Sequence, residues 1–144
     1  MESQYILEFM SFSIRRFLES QDLRRESEES SSGWSYALSF PESLPFFAGH
    51  FPGHPVVPAA FVIELSWQLF FWPKPPPSQE FRHLVRGKFM KPLVPLNSYE
   101  VFFDVKQKQA QNFCEVSWGS AEGGVHAELR FQMSFCKRKM EVSL

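Results

Sequence analysis

A chain of 144 residues with a formal net charge of −1 suits one domain with its own core and is too short for two enzyme domains of usual size. The charge balance excludes the concentrated basic surface that phosphate binding needs, so nucleic acid is not an expected partner. Hydrophobic residues make up 44% of the chain and phenylalanine alone fills 17 positions, which is enough apolar area for a core and for a subunit interface. Cys114 and Cys136 fall in segments that read as strands and have neither zinc nor redox spacing, which makes them packing residues. Glu2 and Glu8 interrupt the N-terminal apolar stretch, unlike a signal peptide. The longest apolar run, residues 56–72, is broken by Pro58, Glu64 and Gln68, unlike a membrane span. A cytoplasmic protein with no membrane partner is expected.

Taken in chain order, residues 5–23 place Tyr5, Phe9, Phe12 and Arg16 at intervals of three or four, the period of an amphipathic helix. The strict alternation over residues 10–14 keeps a strand open there. Residues 24–33 are polar throughout and read as a flexible loop without a site. Residues 34–40 alternate large apolar and small side chains, as a half-buried strand does. Pro41 and Pro45 end it. After the loop that follows, Pro58 is placed as the first helical residue, where its missing N–H has no helical partner to lose. The helix runs to about Trp72 and stops at the proline run of residues 73–77. Residues 81–89, 98–107, 112–120 and 125–136 then read as strands, the last alternating apolar and polar for eleven residues. The order predicts an α+β domain over residues 34–136, in which a curved antiparallel sheet wraps one long helix. Residues 1–33 form an N-terminal extension whose structure the pattern leaves open, and residues 137–144 a solvated tail.

The chemistry concentrates between Phe47 and Trp72. Glu64 shares its helix face with Ala60, Phe61, Trp67 and Gln68, one turn away on either side. Burial among apolar groups disfavours an ionised carboxylate and raises its pKa, as a general acid requires. The same burial suits a glutamate that only hydrogen-bonds a neighbour. His50 and His54 lie in a loop stiffened by Pro52 and Pro55, while Gly49 and Gly53 let the backbone turn sharply or approach a ligand. A loop histidine so placed is a candidate base, or a residue that only stabilises the turn. His50, His54 and Glu64 lack a dedicated metal-ligand pattern, so no metal is expected. The helix start at Ala59 and Ala60 offers free N–H groups to a developing oxyanion.

The run from His50 to Pro58, with Glu64 fourteen residues after His50 and Gln68 four later, resembles the signature of the hot-dog fold 3-hydroxyacyl-[acyl carrier protein] dehydratases. The likeness is residue-specific over residues 44–68 and follows element order over 34–135. Residues 88–95, with Phe89 and Pro92, also resemble the family's strand and turn after the helix. The resemblance implies a homodimer with the active site between subunits, no cofactor, and acyl carrier protein as the partner that delivers the acyl thioester. It implies His50 as the base that takes the α-proton and Glu64 as the acid that protonates the departing 3-hydroxyl. It further implies the Ala59 N–H at the thioester carbonyl, Gln68 orienting Glu64, and Gly53 and His54 in the substrate-binding loop, His54 as a shaping residue. Ala59 stands where the family has glycine, and its methyl would crowd the thioester or narrow the acyl tunnel. The shortened front is similar to the specialised dehydratases of aryl polyene or related secondary pathways. A hot-dog acyl thioesterase and a non-catalytic, carrier-binding partner subunit are the alternative readings. Lys88, Lys91, Arg82 and Arg86 are either a surface for an acidic carrier or plain solubilising charges.

Overall fold

The described residues of the computed structural model are 13–27, 32–42, 55–77 and 83–133. In chain order they form helix α1 (residues 13–20), strands β1 (Glu26–Ser27) and β2 (Trp34–Ser39), helix α2 (Ala59–Phe71), and strands β3 (His83–Phe89), β4 (Ser98–Lys108), β5 (Gln111–Ser120) and β6 (Gly124–Met133). The strands build one six-stranded sheet in the order β1-β2-β4-β5-β6-β3. Every neighbouring pair is antiparallel. Period-two alternation turns Trp34, Tyr36 and Leu38 of β2, Val101 and Phe103 of β4, Val116 and Trp118 of β5, and Leu129 and Phe131 of β6 to one face, and all of them are buried.

Helix α2 lies on that face. Its Phe70 ring sits 5.5 Å from Trp34 and its Trp67 ring 5.3 Å from Phe131. Ten of its residues, from Phe61 to Phe71 with only Ile63 less covered, are buried, and a helix that is apolar on nearly every side must be covered on nearly every side. The sheet covers one flank and α1 helps with another. Ile14, Phe17 and Leu18 of α1 join the core, and Phe17 stacks on Phe40 at 5.5 Å. Arg15 closes the far end of α2, its Nη2 donating to the Pro73 carbonyl at 2.9 Å while its guanidinium lies 5.1 Å from the Trp72 ring. A polar link also crosses the core. The Trp118 indole N–H donates to Ser66 Oγ at 2.8 Å, and the Ser66 hydroxyl donates to the Val62 carbonyl at 2.7 Å.

Several expectations shift. The N-terminal helix covers residues 13–20 of the 5–23 stretch, with 5–12 outside the described residues, and Ser13 and Ile14 are helical where a strand was open. The polar stretch 24–33 contains a strand, because β1 pairs Glu26 and Ser27 with Ser35 and Trp34 through backbone groups that need no apolar side chains. Arg25 beside it stacks its guanidinium 4.4 Å from the Trp34 ring. Pro58 is the N-cap and not the first helical residue: its ψ of 145° is extended, and its carbonyl accepts from the N–H groups of Phe61 and Val62. Cys114 is buried and free, as a packing residue should be. Burial pushes its thiol well above the ordinary pKa, with the nearby Glu115 and Asp104 charges adding to the effect. Cys136 and the 137–144 tail lie outside the described residues. Among the described residues no helix is long and apolar enough to cross a membrane.

The last strand departs most from its reading. In β6 the register with β5 pairs Ala127 with Trp118 and Val125 with Gly119, so His126 is an extra residue without an opposite number. This is a β-bulge, which re-aims the side chain it carries. Val125 therefore faces out and is exposed, while His126, expected on the wet face, is buried. A second register shift, against β3, falls between Leu84 and Arg86.

Candidate active site

Glu64 sits in the middle of α2 and is only 4% exposed. One turn later Gln68, also buried, donates from Nε2 to Glu64 Oε1 at 3.1 Å, as the i, i+4 spacing allows. The amide thus holds one carboxylate oxygen, and Phe61 and Trp67, one turn away on either side along the helix, are buried with it. The structure brings these two predicted residues together. His50, Gly53 and His54 lie outside the described residues.

At the start of α2, Ala59 and Ala60 are exposed. Pro58 gives the helix no side-chain cap bond, and the first N–H groups of any helix lack partners within it. The Ala59 position borders a cleft of about 230 Å³, whose walls include Val57, Val62, Phe89, Pro92 and Leu93. The Val57 N–H donates to the Leu93 carbonyl at 2.8 Å, tying the strand-exit segment 90–94 to the residues that lead into the helix. So the helix N-terminus opens onto an apolar cleft.

Glu64 is not on that cleft. At roughly 100° per residue, positions 59 and 64 of a helix point about 140° apart. Within one chain, the Glu64 side chain therefore projects to a different side of α2 from the Ala59 position on the cleft, and Glu64 is not among the cleft's walls.

A larger cavity of about 300 Å³ lies on the outer face of the sheet, among Arg86, Asp104, Lys106, Glu115, Glu128 and Arg130. Its central carboxylate is already engaged. Glu115 meets Lys106 Nζ at 3.1 Å and Arg130 Nη2 at 2.5 Å. Burial raises the pKa of Glu115, but the hydrogen bonds and charges of Lys106 and Arg130 outweigh it and leave the group below its ordinary value. A self-neutralised surface network of this kind carries no reactive group.

One polar cluster beside the cleft was not singled out in the sequence. His126 Nδ1 lies 3.1 Å from the Pro92 carbonyl and Nε2 2.9 Å from Ser120 Oγ. The available signal was a histidine two residues after Gly124, whose φ of 69° marks the end of the hairpin turn. The unbroken alternation around it pointed instead to solvent.

A long, nearly fully buried helix with a central acid, wrapped by an antiparallel sheet of this order, defines a hot-dog protein. The family model for ApeI-like dehydratases, described as ApeI dehydratase, matches residues 24–130. The chain belongs to the ApeI-like dehydratase family. It is 26% identical over 107 residues to the 3-hydroxyacyl-[acyl-carrier-protein] dehydratase FabZ of Anaeromyxobacter sp. (strain Fw109-5), covering 67% of this chain and 68% of that protein. Among solved structures it superposes on the dehydratase heterocomplex ApeI:P from Xenorhabdus doucetiae with a TM-score of 0.55 at 16% identity, over 78% of this chain and 98% of that one. It also superposes on the E. coli PaaI protein from the phenylacetic acid degradation operon with a TM-score of 0.58 at 10% identity, over 92% and 98% of the two chains. The last two likenesses bear on the fold alone.

Proposed function

We propose that the chain dehydrates (3R)-hydroxyacyl thioesters carried on acyl carrier protein, giving trans-2-enoyl thioesters and water. The observation that carries the reading is Glu64, buried in α2, held by Gln68 and placed fourteen residues after His50 in a member of a dehydratase family. His50 takes the α-proton as the C–H bond breaks. The electron pair forms the α,β double bond, and the 3-hydroxyl departs with the proton that Glu64 supplies. Transfer of the His50 proton to Glu64 through solvent restores both groups. The thioester carbonyl, where negative charge develops, seats on the Ala59 N–H at the helix start. The thioester itself acidifies the α-proton, so the step calls for no cofactor. Gly53 and His54 shape the loop that carries His50.

The reading makes the active unit a homodimer. Because Glu64 and the Ala59 cleft face different sides of α2, one complete site combines the cleft and His50 of one copy with Glu64 of the other. The β3 edge suits this assembly. It is the terminal strand of the sheet, its outer edge pairs with no other described strand, and its Val85 and Phe89 stand 48% and 43% exposed.

The test is hydration of crotonyl and longer enoyl thioesters by purified protein, followed alongside release of free thiol. Hydration without thiol release supports the dehydratase. Loss of about a hundredfold or more is expected for His50→Ala and for Glu64→Gln, the range of a general acid or base. A wild-type protein that hydrates no enoyl thioester, or one that releases thiol instead, refutes the reading.

A further inference from the structure

The wall of the cleft that faces the helix N-terminus is formed by residues 90–93, and little regular structure holds them. They follow the end of β3 and belong to no strand. What fixes them is the bulge in β6. The His126 carbonyl accepts from the N–H of Met90 at 2.8 Å and of Lys91 at 3.2 Å. Its ring reaches the next link, with Nδ1 3.1 Å from the Pro92 carbonyl. A carbonyl can only accept, so Nδ1 carries the hydrogen and donates. In the neutral ring Nε2 then accepts from the Ser120 hydroxyl, 2.9 Å away, and Ser120 Oγ in turn accepts from the Gly123 N–H at 3.0 Å.

The rest of the cluster closes around this chain of bonds. Lys91 Nζ donates to the Gly123 carbonyl. The Tyr99 ring meets the imidazole edge-on, with centroids 5.2 Å apart, and the Tyr99 hydroxyl accepts from the Val94 N–H at 2.8 Å. A Cβ at residue 123 would stand 2.8 Å from both His126 Nε2 and Ser120 Oγ, so any larger residue there would push this pair apart. Beyond Pro92, Leu93 passes the position on, because its carbonyl holds the Val57 N–H.

We infer that His126 is a positioning residue of the active site: through Pro92 it sets the wall of the cleft against the start of α2, and so the seat of the thioester beside Ala59. The inference rests on the proposed dehydration at that cleft. The bulge is what makes it available, since in unbroken alternation the ring would lie on the outer face of the sheet, away from Pro92.

Two variants separate positioning from packing. In His126→Asn the amide nitrogen reaches about where Nδ1 stands and keeps the bond to Pro92 while losing Ser120. In His126→Gln the longer side chain reaches about where Nε2 stands and keeps Ser120 while losing Pro92. Each gives up one bond, so a merely structural role lowers both alike. Two readouts are taken on each purified variant: kcat and KM for enoyl-thioester hydration, and the amide hydrogen-exchange rate of Val57, which reports the wall independently of activity. The expected result is a fall in kcat of tenfold or more for His126→Gln, with Val57 exchange accelerated by at least tenfold, while His126→Asn stays within about threefold of wild type in both. Equal losses in the two variants, in step with their melting temperatures, overturn the inference. It is also overturned if Val57 exchange separates the variants and kcat does not, for the wall is then no part of the seat. A wild-type protein without hydratase activity overturns the functional reading itself, and the inference with it.

Discussion

Replacing Ser66 by alanine should destabilise the protein through an atom it does not remove. Ser66 and Trp118 are both fully buried, and the serine oxygen is the acceptor for the indole N–H at 2.8 Å. Alanine leaves that N–H buried without an acceptor, at a cost of about 1–3 kcal/mol. The Val62 carbonyl, which also receives the serine hydroxyl, keeps its ordinary helical position and loses little. Alanine returns about 0.5 kcal/mol as the better helix former. The net loss is then about 0.5–2.5 kcal/mol. With an unfolding entropy of about 0.3 kcal/mol/K for 144 residues, that lowers the melting temperature by about 2–8 °C. The deciding assay is a double-mutant cycle by thermal or urea unfolding. Trp118→Phe removes the donor, so adding Ser66→Ala to it should cost about 1 kcal/mol less than adding it to wild type. Strict additivity, within about 0.5 kcal/mol, would refute the claim that this bond pins α2 to β5.

Glu115→Gln should lower stability in a pH-dependent way. Lys106 and Arg130 hold the carboxyl below its ordinary value, so its stabilisation is present above the ordinary carboxylate range and is lost as pH falls through the folded-state value. The wild-type advantage in melting temperature should therefore shrink on acidification, and a gap that widened in acid would contradict the assignment. Ala110→Gly should raise stability by about 0.5–1 kcal/mol, read by urea midpoint, because Ala110 holds a φ of 65° in the β4–β5 turn, where glycine is unstrained. Ala59→Gly should favour bulkier thioesters, with KM falling for longer or branched enoyl substrates and little change for crotonyl; an unaltered preference would show that the methyl does not border the seat. Val85→Glu on the β3 edge should shift sedimentation from dimer to monomer and take hydratase activity with it.

Of the candidate site, the Glu64–Gln68 pair was legible because the sequence states it locally, while His50, Gly53 and His54 lie outside the described residues. Glu64 and Gln68 lie one turn apart, so any helix over them produces the bond that is observed. The sheet was legible for a similar reason, since alternation in β2, β4 and β5 survives in the burial of Trp34, Phe103 and Trp118. The two-residue β1 was not legible, because its pairing with β2 uses only backbone groups and its side chains carry no pattern. The place of α1 against the end of α2 depends on Arg15 meeting Pro73, fifty-eight residues away. His126 shows the limit most clearly. One extra residue in β6 inverts the faces of everything before it, and a bulge leaves the alternation of the sequence intact.

The same logic bears on the proposed division of the site between two copies of the chain. In a helix buried on almost every side, the Glu64 side chain projects about 140° away from the Ala59 position that borders the cleft. Glu64 is held from within the chain by Gln68, and the cleft is held from within by Leu93 and the β6 bulge. On the proposed reading, each half is thus built within its own chain, and assembly has only to juxtapose them. The requirement falls on the surface between the copies. An open terminal strand with exposed Val85 and Phe89 meets it at one edge of the sheet, and Phe89 also lines the cleft. On the proposed reading, a change at that edge acts on assembly and on the seat of the substrate together.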